Sequence, residues 1–207
     1  MCGRYVIAPV DDEILEMIRE INRSKLAEIL REQGNPPITG AGEIVPASVV
    51  PCVALNKKGE QRVFPMKWGF SQQGPGTGRK KLLINARYET AAEKPTFMDS
   101  WAHRRCVIPA SCYVEWEHDE NKKPGKKYSV RPEQDGIVWL AGFYRMEGQI
   151  PVFVVLTRSA DKSVSWMHDR MPLILPKDLA MSWVRQDADP DMIADQCLRD
   201  MKWEFAG

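Results

Sequence analysis

The chain lacks the hydrophobic segments that would place it in a membrane or direct it out of the cell. No run approaches the roughly 18 apolar residues that a membrane-spanning helix needs. The N-terminus has no positively charged stretch followed by an apolar one, so no signal peptide is visible. We therefore expect a cytoplasmic protein without membrane partners, associated with the nucleoid if the host is bacterial.

Disulfide bonds and a strong net charge are not expected either. The five cysteines are an odd number scattered over 207 residues, which is typical of a reducing compartment rather than of a disulfide framework. The net charge is only +1, so the chain as a whole does not attract polyanions. A nucleic acid would have to bind through local basic clusters, which occur at 79–81, 103–105 and 122–127.

The sequence does contain enough apolar surface for a large core. Hydrophobic residues make up 43% of the chain, and seven of its residues are Trp. After residue 43, segments rich in Val, Ile, Trp and Tyr alternate with turn residues, which indicates strands. The predicted strands are 4–8, 44–55, 61–66, 82–86, 105–109, 112–117, 126–132, 137–145, 150–158 and 201–205.

Helical spacing is confined to a few segments. Residues 11–33 predict two helices, the second capped by Ser24, and residues 176–186 and 190–198 predict two more. Thr90 to Glu93 has the spacing of a capping box that would open a short helix. Because strands follow one another by tight turns, we expect a single α+β domain over residues 1–207, with a mixed, barrel-like β-sheet and peripheral helices.

The first four residues, Met1-Cys2-Gly3-Arg4, could produce an unusual nucleophile. Removal of Met1 would leave Cys2 with an α-amine of pKa about 7.7–8.0 and a thiol of pKa about 8.5 on the same residue. Such an aminothiol condenses with an aldehyde to an imine, and the thiol then closes a thiazolidine ring. The alternative is that Met1 stays in place, or that Cys2 begins a buried strand.

Polar residues are concentrated in a second segment, Ile84 to Thr90. Alternation along a strand would place Asn85, Arg87 and Glu89 on one face of it. A site is one interpretation of this pattern. The other, more common one is a solvated strand face that holds an ion pair.

A third segment, Cys112 to Glu117, places the carboxylate of Glu115 between Val114 and Trp116. Desolvation at such a position favours a general acid or base. An exposed carboxylate at a sheet edge is an equally good interpretation of the same residues.

A fourth segment places His168 just before the apolar run 173–175, with Asp169 and Arg170 beside it. This pattern suggests a charged elbow at the end of a sheet, where functional sites are common. A structural role for the histidine is the alternative.

Zinc ligands also need to be considered, since His103, Cys106, Cys112 and His118 lie close together in the sequence. Their spacing does not fit a zinc knuckle, and both cysteines lie in apolar strands, where thiols act as small hydrophobic groups. We therefore expect no metal site.

Taken together, these segments resemble the SOS-response-associated peptidase (SRAP) family over nearly the whole chain. The resemblance rests on Met-Cys-Gly-Arg at the start, Ile-Asn-Ala-Arg-x-Glu-Thr at 84–90, Arg-Cys-Val-Ile-Pro-Ala at 105–110, Glu115-Trp116, and His168-Asp169-Arg170-Met171-Pro172. Five motifs in this order make the similarity specific.

The resemblance implies an enzyme that senses abasic sites in single-stranded DNA and crosslinks to them through a thiazolidine at Cys2, without a cofactor. It implies that Asn85 positions the N-terminus and the sugar. Glu115 would act as the acid or base that helps to open the sugar, and His168 would assist proton transfer.

The DNA-binding residues are also implied by the resemblance. Arg4 and Arg87 match family positions that hold phosphates, and Trp116 and Thr157 match positions that line the DNA path. Abasic single-stranded DNA is the expected partner, and we expect the protein to be a monomer.

Three segments depart from the family pattern. Glu43 stands where the family usually has Asn, and a carboxylate there would repel a phosphate. The stretch Ser71 to Gly76 has no aromatic residue, although the family commonly has a Trp-containing wedge after Trp68-Gly69. The chain also stops at Gly207, without the family's usual extra strand. The DNA groove is therefore expected to differ from that of other members, whereas the chemical residues are intact.

Two other functions fit the same residues. One is a peptidase with Cys2 as its N-terminal nucleophile, although only Met1 precedes that residue. The other is a noncovalent binder of single strands or modified bases, which the altered segments at Glu43 and Gln72 would favour.

Overall fold

The computed structural model describes residues 3–73, 80–118, 124–134 and 136–207. Cys2 and the Gly-containing residues 74–79 lie outside the described residues. The helices are α1 Asp12–Asn22, α2 Lys25–Glu32, α3 Tyr88–Ala91, α4 Met98–His103, α5 Lys177–Trp183 and α6 Pro190–Asp195. The strands are β1 Arg4–Ile7, β2 Gly42–Ile44, β3 Val49–Leu55, β4 Gln61–Trp68, β5 Phe70–Gln73, β6 Lys80–Leu83, β7 Asn85–Arg87, β8 Arg105–Ala110, β9 Cys112–His118, β10 Pro124–Pro132, β11 Val138–Glu147, β12 Ile150–Ser159, β13 Arg170–Pro172, β14 Ile174–Leu175 and β15 Met201–Phe205. None of the helices in these ranges is long and apolar enough to cross a bilayer.

Five strands close into a barrel in the order β12-β4-β3-β8-β11 and back to β12. The strand β12 closes it, pairing with β4 on one side and β11 on the other. The pairings of β12 with β4 and with β7 are parallel, whereas the other pairings of the barrel are antiparallel. The predicted α+β fold with a mixed, barrel-like sheet is confirmed.

A second, antiparallel sheet packs against the barrel in the order β15-β10-β9-β1-β2. Its inner face contributes Tyr5, Tyr113 and Val130 to a buried cluster that also holds Trp68 and Phe153 of the barrel. The rings of Tyr5 and Trp68 lie 5.4 Å apart, centroid to centroid. The two sheets therefore share one hydrophobic core.

The N-terminal helices form as the spacing predicts. Ile14, Ile18 and Ile21 of α1 are buried, and burying each such side chain contributes roughly 1.5–3 kcal/mol. The hydroxyl of Ser24 accepts a hydrogen bond from the N–H of Ala27 at 3.2 Å, so the predicted cap of α2 is confirmed.

The local predictions at 44–55 and at Thr90 are wrong. The predicted strand 44–55 is two strands, because Pro46 and Ala47 interrupt it and Ala47 adopts a φ of 72°. The capping box at Thr90 does not form. Helix α3 already begins at Tyr88, with Arg87 at its N-cap position, and no side chain caps it.

The predicted strand 82–86 is also divided. The carbonyl of Ile84 accepts from the indole N–H of Trp68 at 2.9 Å and from the N–H of Val155 at 3.1 Å. These bonds hold Ile84 at the junction of β6 and β7, so that Asn85 starts a strand paired with β12 instead of continuing β6.

Candidate functional site

The register of β1 on β9 leads the start of the chain to Glu115. Arg4 pairs with Val114 and Tyr5 with Tyr113 in this antiparallel ladder, so the chain before Arg4 runs in the direction of Glu115. Glu115 is only 4% exposed, because it points inward from β9 between two packed sheets. Burial, rather than an exposed edge, is therefore the environment of this carboxylate.

The outer face of the same strands carries a cationic group around Trp116. The guanidinium carbon of Arg4 lies 5.5 Å from the centroid of the Trp116 ring, and Nζ of Lys127 lies 5.9 Å from it. Both distances are in the range of cation–π contacts. Arg4 and Trp116, two of the predicted DNA-binding residues, are thus neighbours on one face, while Glu115 occupies the other face of β9.

Glu43 bridges these two cations. Its Oε2 accepts from Nζ of Lys127 at 2.5 Å, and its Oε1 accepts from Arg4. The hydrogen bond from Lys127, and then that from Arg4, lowers the pKa of Glu43 below its ordinary value. The negative charge of Glu43, the residue that departs from the family pattern, is therefore balanced by Lys127 and Arg4. The three charges sum to +1.

A second group forms at the end of β12. Asn85 pairs with Val155 and Arg87 with Thr157 on one side of this strand, and Thr157 pairs with Pro172 of β13 on the other. Asn85 is partly buried and Arg87 is exposed. Thr157 is fully buried, and its hydroxyl lies 3.4 Å from the carbonyl of Ala86. Its predicted position along the DNA path stays a prediction.

Arg170 ties the two flanks of β12 together. Its Nη1 and Nη2 donate to the two carboxylate oxygens of Glu89 at 2.6 and 2.7 Å, and Nη2 also donates to the carbonyl of Thr157 at 2.5 Å. Hydrogen bonding by Arg170 lowers the pKa of Glu89. Glu89 lies in α3, so the prediction that it shares a strand face with Asn85 and Arg87 is wrong. The helix turns its carboxylate toward Arg170 instead.

His168 is held by the residue two positions after it. The N–H of Arg170 donates to Nδ1 of His168 at 2.9 Å, and Oδ1 of Asp169 lies 2.7 Å from the same nitrogen. One nitrogen can serve only one of these partners at a time. Neutral imidazole accepts from Arg170 and carries its hydrogen on Nε2, whereas imidazolium donates to Asp169. This pair of partners suits a group that takes up and releases a proton.

Aromatic contacts connect the segments that carry these polar residues. Tyr128 pairs directly with Glu115, and its ring meets that of Trp166, two residues before His168, at 5.1 Å. On the other side, Trp68 contacts Tyr5 of β1 and hydrogen bonds to Ile84, the neighbour of Asn85. The elements that carry Asn85, Glu115 and His168 are therefore packed together by two aromatic bridges.

The candidate zinc ligands are not brought together among the described residues. No group of three His, Cys, Asp or Glu side chains in these ranges has the geometry to hold a metal ion. Cys106 is fully buried in β8, and burial raises the pKa of the Cys112 thiol to about 11. The side chain of His118 is outside the described part of the chain.

The sequence prediction missed the roles of four residues. Lys127 and Glu43 complete the group around Trp116, while Arg170 and Glu89 complete the group around Thr157. The spacing of residues along the chain gives no signal for these pairs, because Lys127 and Glu43 are 84 residues apart and Arg170 and Glu89 are 81 apart. The one local signal was that Arg170 lies two residues after His168, which had been singled out as a candidate site residue.

Comparison with known proteins identifies relatives along nearly the whole chain. The abasic site processing protein YedK of Escherichia coli is 28% identical over 193 residues, covering 90% of this chain and 81% of YedK. The abasic site processing protein YoqW of Bacillus subtilis is 26% identical over 205 residues, covering 93% and 84%. HMCES of Xenopus tropicalis, also an abasic site processing protein, is 29% identical over 149 residues, covering 59% and 44%.

Solved structures show the same fold. A phage-related protein from Bordetella bronchiseptica superposes with a TM-score of 0.72 at 20% identity, over 99% of this chain and 94% of that protein. A protein from Bacteroides thetaiotaomicron gives a TM-score of 0.67 at 20% identity, over 99% and 91%. The profile of SOS response associated peptidases matches residues 1–205. The chain belongs to the SOS response associated peptidase (SRAP) family.

Proposed function

We propose that this protein processes abasic sites in single-stranded DNA by forming a covalent adduct through Cys2 after removal of Met1. The observation that carries the proposal is the β1–β9 register, which leads the start of the chain toward the buried Glu115. The printed names of the relatives, which are abasic site processing proteins, support the choice of substrate.

The chemistry needs an aldehyde, an amine and a thiol. The ring-opened sugar of an abasic site supplies the aldehyde at C1′. The α-amine of Cys2 adds to this carbon and the carbonyl oxygen leaves as water, which forms an imine. The thiolate of Cys2 then adds to the imine carbon and the nitrogen gains a proton, which closes the thiazolidine. No electrons are gained or lost overall, so no redox partner is needed.

Three side chains have the proposed task of moving or directing protons. Glu115 would protonate the sugar ring oxygen as the ring opens, and the resulting carboxylate would then accept a proton as a base. Its burial between the sheets excludes water and strengthens such a transfer. His168 would accept and release the protons of imine formation, because its Nδ1 has one partner for each protonation state. Asn85 would hold the amine and the sugar by hydrogen bonds.

The DNA backbone would follow the two cationic groups. Arg4 would contact a phosphate beside Trp116, whose ring offers a surface to a base. Arg87, exposed at the end of β7, would contact a second phosphate. Thr157 is buried and would contribute to DNA binding indirectly, because its carbonyl accepts a hydrogen bond from Arg170 at the end of β12.

The test is to incubate the mature protein with an oligonucleotide that contains one abasic site. We expect an adduct that survives heat in denaturant and whose mass equals that of protein plus DNA minus one water. Cys2→Ala and Cys2→Ser keep the α-amine but lack the thiol, so neither should form the heat-stable adduct, and each should form at most an imine that borohydride traps. Intact mass must first show that Met1 is absent.

Two results would overturn the proposal. One is the absence of any adduct from protein of the correct mature mass. The other is an equal yield of adduct from Cys2→Ala. Cleavage of peptides that depends on Cys2 would instead support the peptidase, and tight binding indifferent to the lesion would support a noncovalent binder.

A further inference from the structure

Four aromatic rings form an exposed cluster at the edge of the second sheet. The cluster, here named the aromatic edge, consists of Tyr128, Trp166, Trp203 and Phe205. Tyr128 is buried, but Trp166, Trp203 and Phe205 are 43%, 46% and 64% exposed. Contiguous apolar surface on a sheet edge promotes association with other molecules and is typical of a binding surface.

Two separate segments build the aromatic edge. In β15, Trp203 pairs with Val130 and Phe205 with Tyr128, so both rings lie on the same face of the sheet as Tyr128. The turn before His168 supplies Trp166, whose indole N–H donates to the carbonyl of Ser163 at 3.1 Å. Centroids of neighbouring rings are 5.1 to 6.1 Å apart.

The rings meet at steep angles. The planes of Trp166 and Trp203 are inclined at 69°, and those of Tyr128 and Trp203 at 86°. Edge-to-face contacts of this kind stabilise the cluster without covering the faces of both partners, as a parallel stack would. Trp166, Trp203 and Phe205 therefore keep exposed ring surface that another flat group can contact.

The aromatic edge continues directly from the candidate site. Tyr128 pairs with Glu115 on the inner face of the sheet, and Trp166 is two residues from His168. Strands β10 and β15 carry four basic residues, Lys126, Lys127, Arg131 and Lys202, and one acidic residue, Glu204. The pleat places Lys127, Arg131 and Lys202 on the face of the sheet opposite to the rings, so their positive charge borders the rings only across the edge of the sheet.

We propose that the aromatic edge is a stacking surface for bases of the single strand that flanks the lesion. This proposal rests on the proposed function and adds to it the residues that would contact the DNA beside the lesion. The faces of bases stack on aromatic side chains independently of sequence.

The test measures binding of undamaged single strands, which requires no reaction at Cys2. A short labelled oligonucleotide is compared with longer ones that are extended on the 5′ side only or on the 3′ side only. A further set carries the same extensions as base-free sugar phosphates. The proteins are the wild type, Trp203→Ala, Trp203→Phe and, as a control on another exposed apolar residue, Met146→Ala, which is 51% exposed.

We expect extension on one side to increase the affinity of the wild type, and base-free extension to do so less. Trp203→Ala should lose roughly tenfold in affinity for the extended strand, whereas Trp203→Phe and Met146→Ala should keep most of the gain. Melting temperatures show that each variant is folded.

Three results would overturn the proposal. The variant Trp203→Ala could bind the extended strand as the wild type does. Base-free extension could give the wild type the full gain. Sedimentation could show a wild-type dimer that Trp203→Ala dissociates, which would make the rings an interface between copies of the chain. None of these results depends on adduct formation, so the proposed function is judged separately.

Discussion

The carboxylate of Glu89 fixes the guanidinium of Arg170 by two parallel hydrogen bonds of 2.6 and 2.7 Å. This is the geometry in which an arginine loses least freedom and holds its direction best. The backbone N–H of the same arginine holds the imidazole of His168. A helix, a strand end and a candidate proton carrier are thus linked in one chain of contacts.

The first prediction concerns Glu89→Gln. It removes the charge that holds Arg170, so the backbone that orients His168 gains freedom. We expect the rate of adduct formation to fall roughly tenfold, while affinity for undamaged single strands changes little. The control is Asp187→Asn, which breaks another bidentate ion pair, with Arg185, far along the chain. Equal rates in both variants would contradict the linkage.

The same ion pair predicts a pH dependence. The pKa of Glu89 is lowered from its ordinary 4.5 by Arg170, so the unfolded chain binds a proton more readily at this residue. Its contribution to the free energy of unfolding is therefore fully present above about pH 4.5 and is lost as the pH falls through the lowered value. The stability difference between wild type and Glu89→Gln should follow this course in denaturant titrations at several pH values.

A second prediction concerns Glu43→Gln. The change removes the charge that bridges Arg4 and Lys127, and leaves both cations available to phosphates. We expect tighter binding of single strands, and a slope of log affinity against log salt that steepens by about 0.7 for each added phosphate contact. The variant Glu16→Gln, which removes a carboxylate paired on α1, should leave the slope unchanged. A slope unaltered in Glu43→Gln would show that these cations do not contact the DNA backbone.

A third prediction tests the closure of the barrel. A Cβ on Gly142 would lie 2.5 Å from the carbonyl oxygen of Val154 and 2.9 Å from Cδ1 of Ile108. Because the first of these is backbone of the paired strand, Gly142→Ala should lower the free energy of unfolding by about 1–3 kcal/mol. The variant Gly40→Ala, with no atom within 4 Å of the new Cβ, is the control. Equal midpoints in urea would show that β11 and β12 are not closely packed at Gly142.

A fourth prediction concerns thiol reactivity. Burial raises the pKa of Cys112 from 9.0 to about 11, which lowers its thiolate fraction at neutral pH about a hundredfold. We expect a maleimide to modify the N-terminal thiol of the mature protein well before Cys112. Peptide mapping after short exposure at pH 7 measures the order, and denatured protein, in which the sites react alike, is the control. Faster labelling of Cys112 would show that its strand is open to solvent.

Sequence patterns predicted the elements that depend on local chemistry. The spacing of Ile14, Ile18 and Ile21 predicts a buried helix face, and Ser24 predicts the cap of α2, because both signals act over a few residues. Residues 112–117 were predicted as a strand, and β9 spans Cys112–His118, because this signal is also local.

What could not be predicted depends on contacts between distant segments. The break of the strand at Ile84 is fixed by Trp68 and Val155, which no local pattern indicates. Helix α3 begins at Tyr88 rather than at the expected cap, and this carries Glu89 from a strand face to Arg170. The bridge of Glu43 to two cations likewise joins three strands, so no local pattern indicates it.

The barrel strand β12 has a consequence for how the protein can vary. Asn85 and Arg87 border it on one side, and the strand that follows His168 borders it on the other. Their mutual placement is therefore set by a ladder of backbone hydrogen bonds, which is indifferent to the side chains of surrounding turns. If the proposed function holds, turns that contact DNA can be lengthened, shortened or recharged while Asn85, Arg87 and the strand after His168 keep their spacing, so substrate preference and chemistry would be separable by engineering.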